Sequence, residues 1–146
     1  MIDGVAVQLR RTEPRTTLDI DLAVISYEHL PQEALSAEEF RLVGLYAHSE
    51  NWLGPDDVPV QFSDDPAFAL AISTAEDLTM HALRLRVATA RELVRAKLRA
   101  ATDQARRRSK RWQDLADIAG LLEDNPSLLA AMTAAEQSQL AALLSG

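Results

Sequence analysis

The chain has 146 residues, 47% hydrophobic and 25% charged, with a formal net charge of −7 and no cysteine. That length and composition describe one ordinary soluble globular domain able to remove roughly two-thirds of its unfolded surface from water, not a disordered or fibrous chain. Disulfides, thiolate zinc sites and a cysteine nucleophile are excluded, and with no apolar run near the ~20 residues of a spanning helix and no basic-then-apolar leader, the expectation is a cytoplasmic protein without membrane association.

The first strand signal is Thr17 to Ser26, where Leu18, Ile20, Leu22 and Val24 alternate with Asp19, Asp21 and Ala23. Pro31 opens a short helical stretch to about Glu39, and Phe40 to Ala47 and Val58 to Phe62 read as an antiparallel pair of strands. Between them, His48 to Asp57 reads as a polar loop containing Gly54-Pro55. Pro66 after Asp65 suits a helix start, which predicts a helix from Ala67 to about Thr79. Leu83 to Val87 is one more short strand. Thr89 and Glu92 stand in capping-box spacing, so a helix begins at Ala90 with Leu93, Ala96, Lys97, Ala100 and Ala101 as its stripe. Trp112, Leu115, Ile118, Leu121 and Leu122 form a second amphipathic stretch ending near Asn125-Pro126. Thr133 and Glu136 repeat the capping spacing before a last helix, Ala135 to Leu144.

Charge is unevenly placed. Residues 84 to 111 hold 11 of the 15 Lys and Arg against only Glu92 and Asp103, a net +9, and the remainder of the chain carries −16. A segment this basic either attracts phosphate locally or forms a solvated helix face that balances an acidic body.

Asp19 and Asp21 are the sharpest chemical feature. Residues two apart on a strand face the same way, roughly 6.5 to 7 Å apart, so both carboxylates can meet one ion. Like charges on one face raise each other's pKa and call for a cation, and hard oxygen donors favour Mg²⁺, which binds through one or two carboxylates plus substrate phosphates. The plain alternative is an exposed strand face with two solvated acids.

The segment Arg15-Thr16-Thr17-Leu18-Asp19-Ile20-Asp21-Leu22 resembles the R-x-T-x-D-x-D-h signature of minimal and AbiEii-like nucleotidyltransferases, and Ile2-Asp3-Gly4-Val5-Ala6 is similar to that family's h-G-[GS]-x-A turn. Leu93-Val94-Arg95-Ala96-Lys97-Leu98-Arg99-Ala100 resembles its L-x-x-x-K-x-x-A helix, and Arg111-Trp112-Gln113-Asp114-Leu115-Ala116-Asp117-Ile118 its R-x-K-D-x-x-D-h helix. The resemblance implies an α+β fold: a nucleotidyltransferase-like mixed β-sheet with flanking helices and an all-helical C-terminal third. It implies a single domain, with residues 1–88 as the α/β core and 89–146 as helices packed on it. Asp19 and Asp21 would hold Mg²⁺, Gly4 would lie at a phosphate turn with Arg15 and Thr17 beside the nucleotide, Lys97 would contact triphosphate, and Asp114 and Asp117 would complete the catalytic set. Read without the family, Lys97 is a solvated lysine over an apolar stripe, and Asp117 pairs with Arg111 or Arg108.

Three departures stand out. Asp3 occupies the place of the turn's first glycine. The strand that should supply a third carboxylate offers Gln61, with Asp64 and Asp65 just beyond as substitutes or as helix caps. Gln113 replaces a lysine, and the family's leading helix and most of its first strand have no counterpart before Met1, which leaves the chain either abridged or beginning upstream. No serine-hydrolase elbow, phosphate-binding P-loop or zinc-protease motif is present, and His29, His48 and His81 are scattered; His48, beside Tyr46 and Trp52, is the one to examine. The resemblance therefore implies an Mg²⁺-dependent enzyme that moves a nucleoside monophosphate from a nucleoside triphosphate to a hydroxyl on RNA such as tRNA, on a protein or on a small molecule. It also implies a toxin with a cognate antitoxin. The alternatives are a catalytically degenerate binding or regulatory protein, and a homodimer in which a partner completes the fold.

Overall fold

The computed structural model describes residues 1–12, 17, 19–80 and 82–145. Ile2 sits in an isolated bridge to Asp21, its amide donating to the Asp21 carbonyl at 2.9 Å, and helix α1 (Asp3–Leu9) follows directly. Strand β1 (Ile20–Ala23) is shorter than the alternation predicts, because the Ser26 hydroxyl accepts the Glu28 amide and turns the chain into a 3₁₀ turn, Tyr27–His29. Helix α2 (Gln32–Ala37) and strand β2 (Arg41–Tyr46) fall where the residues predict them.

The polar loop expected over His48 to Asp57 is interrupted by a strand. Ser49–Leu53 is strand β3, and it lies between β2 and β4 (Pro59–Ser63), so those two strands are not neighbours. Its cause is Trp52, which is buried edge-on against Phe62 with ring centroids 6.4 Å apart and whose indole donates to Glu50 at 3.1 Å. The sheet order is β1-β4-β3-β2, with β1 parallel to β4 and the other pairs antiparallel. Strand β2 forms the outer edge, with a register irregularity between Leu42 and Gly44 and with Leu42, Val43, Leu45 and Tyr46 exposed.

Residues 67–79 are not one helix: helix α3 (Ala69–Ser73) ends early, and Glu76–Met80 becomes strand β5 paired with β6 (Leu83–Val87) in a separate two-stranded ribbon. Helices α4 (Ala90–Thr102), α5 (Arg108–Asp124), α6 (Ser127–Ala131) and α7 (Ala134–Leu144) complete the chain. The Thr133–Glu136 capping box closes in both directions. At Thr89 the hydroxyl accepts the Glu92 amide, but the Glu92 carboxylate turns to Arg95 instead. Arg95 also reaches Glu136 at 2.8 Å, tying α4 to α7 and holding the Glu136 carboxyl below its usual pKa.

Period two sorts the sheet into two faces. Trp52, Val60 and Phe62 form a small core with Ile20, Leu22, Leu35 and Phe40, whereas Asp21, Gln61, Asn51 and Gly44 line up across the strands on the opposite face. The larger core joins Ala6 and Val7 of α1, Val87 and Ala88, and the inner faces of α4, α5 and α7, so apolar packing runs across residue 88. The N-terminal ammonium donates to the Arg86 carbonyl at 2.7 Å and the Ala88 amide to the Met1 carbonyl at 3.0 Å, which clamps the first residues between β6 and β1. Among the described residues no helix is long and apolar enough to cross a membrane.

Leu93 is 1% exposed within the larger core, and Leu45 is 67% exposed on the outer strand. Leu93→Ala is expected to destabilise the fold by about 2–5 kcal/mol, and Leu45→Ala by less than about 0.5 kcal/mol, in urea unfolding. Equal effects would refute this placement of the core.

Candidate functional site

The bridge at Ile2 sets the start of α1 beside Asp21 of β1, and Leu93, Ala96 and Lys97 of α4 line a pocket together with Asp21, Gln61 and Ser63. Between them is a cleft of about 360 Å³ lined by Asp3, Gly4, Thr17, Asp19, Asp21, Lys97, Arg106, Lys110 and Asp114. Its inner end continues past Gln61, Ser63 and Phe68. Gly4 is needed where it stands: a Cβ there would come within 2.6 Å of the Thr17 hydroxyl, which donates to Asp19 at 2.8 Å.

Asp3 has φ of 58°, the left-handed region that glycine enters freely and aspartate tolerates at a cost of about 1 kcal/mol. The backbone thus takes the conformation the motif's glycine would allow, while the side chain adds a carboxylate. That carboxylate is met by Lys97, which is only 4% exposed and also reaches Asp117 at 3.0 Å and Asp114 at 3.3 Å. Burial alone would lower the Lys97 pKa; Asp3 and Asp117 more than reverse this, and it is raised. Arg106 grips Asp114 at 2.7 Å. Its pKa too is raised, the Asp114 carboxylate outweighing burial.

Asp21 is the uncompensated member. Burial first, then the neighbouring charges of Asp3 and Asp19, push its pKa up to about 7. The cleft lining holds four carboxylates against three cations, and two of those cations are already engaged by Asp3 and Asp114. Among the described residues no three His, Asp or Glu side chains converge as a complete protein cage for a metal. Asp19 and Asp21 are the oxygen donors a cation could share.

Gly4, Thr17, Asp19, Asp21, Lys97 and Asp114 therefore meet in one cleft. Asp117, 1% exposed, lies behind the cleft and pairs with Lys97. Lys97 is a buried ion-pair centre, not a solvated lysine, and Arg15 lies outside the described residues. Gln61 stands directly across from Asp21 in the parallel register. Asp64 pairs with the exposed His48 at 3.1 Å, and Asp65 caps the turn at Pro66 and approaches Arg99 at 3.5 Å, so neither acid supplies the missing carboxylate of the lining. Arg106 and Lys110 are site residues that motif reading passes over, and Asp3, which the motif marks as a departure, brings its carboxylate into the same site. Only the basic run from 106 to 111 signals the first two.

Two outcomes are expected. Between the ordinary carboxylate range and about pH 7 the folded protein keeps an Asp21 proton that the unfolded chain releases, so stability falls as pH rises through that window and the penalty is complete above it. Asp21→Asn, in chelator, should be more stable than the parent by on the order of 2 kcal/mol at pH 8 and by little near pH 4, in urea unfolding at each pH. Lys97→Met takes the ammonium away from buried Asp114 and Asp117, leaving Arg106 on Asp114, and should cost about 3–5 kcal/mol at neutral pH; a loss under about 1 kcal/mol would refute the network.

A scan against protein-family models finds no match, and a search of curated proteins finds none. Among solved structures, an antigenic nucleotidyltransferase-like protein from Paracoccidioides brasiliensis superposes with a TM-score of 0.61 at 20% sequence identity, over 99% of this chain and 78% of that one. The mixed sheet, flanking helices and helical C-terminal part of this chain form a nucleotidyltransferase-like α+β fold.

Proposed function

We propose that this protein is an Mg²⁺-dependent nucleotidyltransferase that moves a nucleoside monophosphate from a nucleoside triphosphate to a hydroxyl group. The observation that carries the reading is the convergence of Asp19 and Asp21 with three cations in one cleft beside Gly4. The donor set fits a hard divalent cation: two carboxylates on one strand face, negative charge in excess, and an Asp21 whose burial leaves it short of positive charge. When bound there, Mg²⁺ supplies neutralisation of triphosphate charge.

The chain's own residues divide the remaining work. Asp19 and Asp21 hold the ion, and Thr17 orients Asp19. Arg106 and Lys110 face phosphate from the cleft wall, and Lys97 fixes Asp3, Asp114 and Asp117 so that the walls keep their spacing. The acceptor oxygen bonds to the α-phosphorus, the α–β phosphoanhydride bond breaks, pyrophosphate leaves with the bonding pair, and the hydroxyl proton passes to water. Catalysis here is positioning and electrostatics, so each missing charge costs on the order of a hundredfold. The order of the four sequence motifs supports a narrower reading as a cytoplasmic AbiEii-like toxin held by a cognate antitoxin.

A second reading is a protein that binds nucleotide without turnover. Two observations favour it: neutral Gln61 opposite Asp21, and a Lys97 wholly engaged by carboxylates. Incubation with α-labelled nucleoside triphosphates, Mg²⁺ and cellular RNA separates the two. Label transfer that drops at least about a hundredfold in Asp19→Ala is expected. Mg²⁺-dependent thermal stabilisation by nucleotide without transfer establishes the second reading, and the absence of both ends the proposal.

A further inference from the structure

Helix α5 opens with a basic run that the fold itself does not use. Arg107, Arg108, Lys110 and Arg111 stand at its N-terminal turn, where the helix dipole is positive and acids are favoured, yet no acid and no capping side chain is found there. Among the described residues none of these four side chains takes part in an ion pair, whereas nearby Arg95, Lys97 and Arg106 all do. Trp112 follows at once and is 52% exposed, while the other tryptophan, Trp52, is buried.

The placement of this turn matters as much as its charge. On one side Arg106 and Lys110 line the cleft that holds Asp19 and Asp21. On the other, Arg108, Arg111 and Trp112 line a groove of about 370 Å³ floored by Ala101, Leu115 and Leu143. One helical turn therefore separates an open groove of guanidinium and indole from the reacting end. Unpaired arginines attract any polyanion, but a half-open indole beside them adds the flat apolar surface on which a base stacks. An acidic peptide would answer the arginines and leave the indole idle. The −16 carried outside residues 84–111 disfavours a polyanion over the rest of the chain.

We infer that the N-terminal turn of α5 docks a single-stranded nucleic acid: Arg107, Arg108 and Arg111 take backbone phosphates, Trp112 stacks a base, and the strand's end passes Lys110 to Asp19 and Asp21. This rests on the nucleotidyl-transfer reading of the cleft and names its acceptor class.

The test is a fluorescence titration of the full chain with an oligoribonucleotide of about 12 nucleotides, without Mg²⁺ or nucleoside triphosphate. Binding should quench the exposed indole. Trp112→Ala, followed by anisotropy of a labelled oligonucleotide, should bind about tenfold more weakly. Arg107→Ala with Arg108→Ala should lower the slope of log affinity against log salt by about 1.4, two phosphates' worth on a single strand. Inorganic polyphosphate or polyglutamate of matched charge binding as tightly as the oligonucleotide overturns the inference, as does affinity unchanged in both variants. Asp19→Ala should bind the oligonucleotide undiminished yet transfer no label. Transfer to a protein or small molecule without oligonucleotide binding would sink the docking strip alone, and binding without transfer to any acceptor would sink the reading of the cleft alone.

Discussion

One buried ammonium holds the molecule's parts in register. Lys97 on α4 meets Asp3 at the start of α1 and Asp114 and Asp117 on α5, so three helices converge on one charge. Charges removed from water cost several kcal/mol each unless they are met, and a cluster of this kind tolerates little displacement of any member. The apolar core beneath it, from Ala6 and Val7 to Leu93, Ile118 and Leu121, fixes how closely the helices approach. The ion cluster fixes how they are rotated. Because Asp3 is two residues from Met1 and its neighbour Ile2 is bridged to Asp21, the same cluster also sets where the acids of β1 lie relative to α4.

This arrangement explains an imbalance in the cleft. Its cations are used mainly to satisfy structural carboxylates, and Asp21 is left to bear burial beside Asp3 and Asp19. Asp3 illustrates the exchange of roles: its backbone follows the glycine conformation of the motif it resembles, while its side chain has become part of the ion cluster. Gln61 opposite Asp21 removes one more negative charge from a place already short of positive ones, and so lessens the repulsion that the fold must withstand.

Much of this was legible in the residues where local chemistry decides the outcome. The alternation around Ile20 and Leu22, the hydroxyl caps at Thr89 and Thr133 and the strand at Leu83 follow from spacing alone, the stripe of α4 does so at Leu93, Lys97 and Ala101 but with Val94 and Leu98 in place of Ala96 and Ala100, and the α+β class follows from their order together with the motif resemblance. Two elements were hidden because pairing overrode composition. Strand β3 carries mostly polar residues and is defined by one indole meeting Phe62. Strand β5 reads as helix former, yet Leu78 meets Leu85 across the ribbon, and Asp77 lies within 3.3 Å of Arg84 and 3.7 Å of Arg86. The link between Asp3 and Lys97 joins residues 94 positions apart. No local pattern announces it, nor the ion pair between Lys97 and Asp117 across two helices.

The irregularity in β2 has a consequence for how the protein lives beside copies of itself. A strand with one side unpaired is a template onto which another backbone can add, and apolar side chains on both of its faces would make such growth adhesive. The break in register between Leu42 and Gly44 interrupts the run of free amides after only a few residues. A foreign strand therefore meets a broken ladder where it would have to pair, which disfavours its addition beside Leu45 and Tyr46.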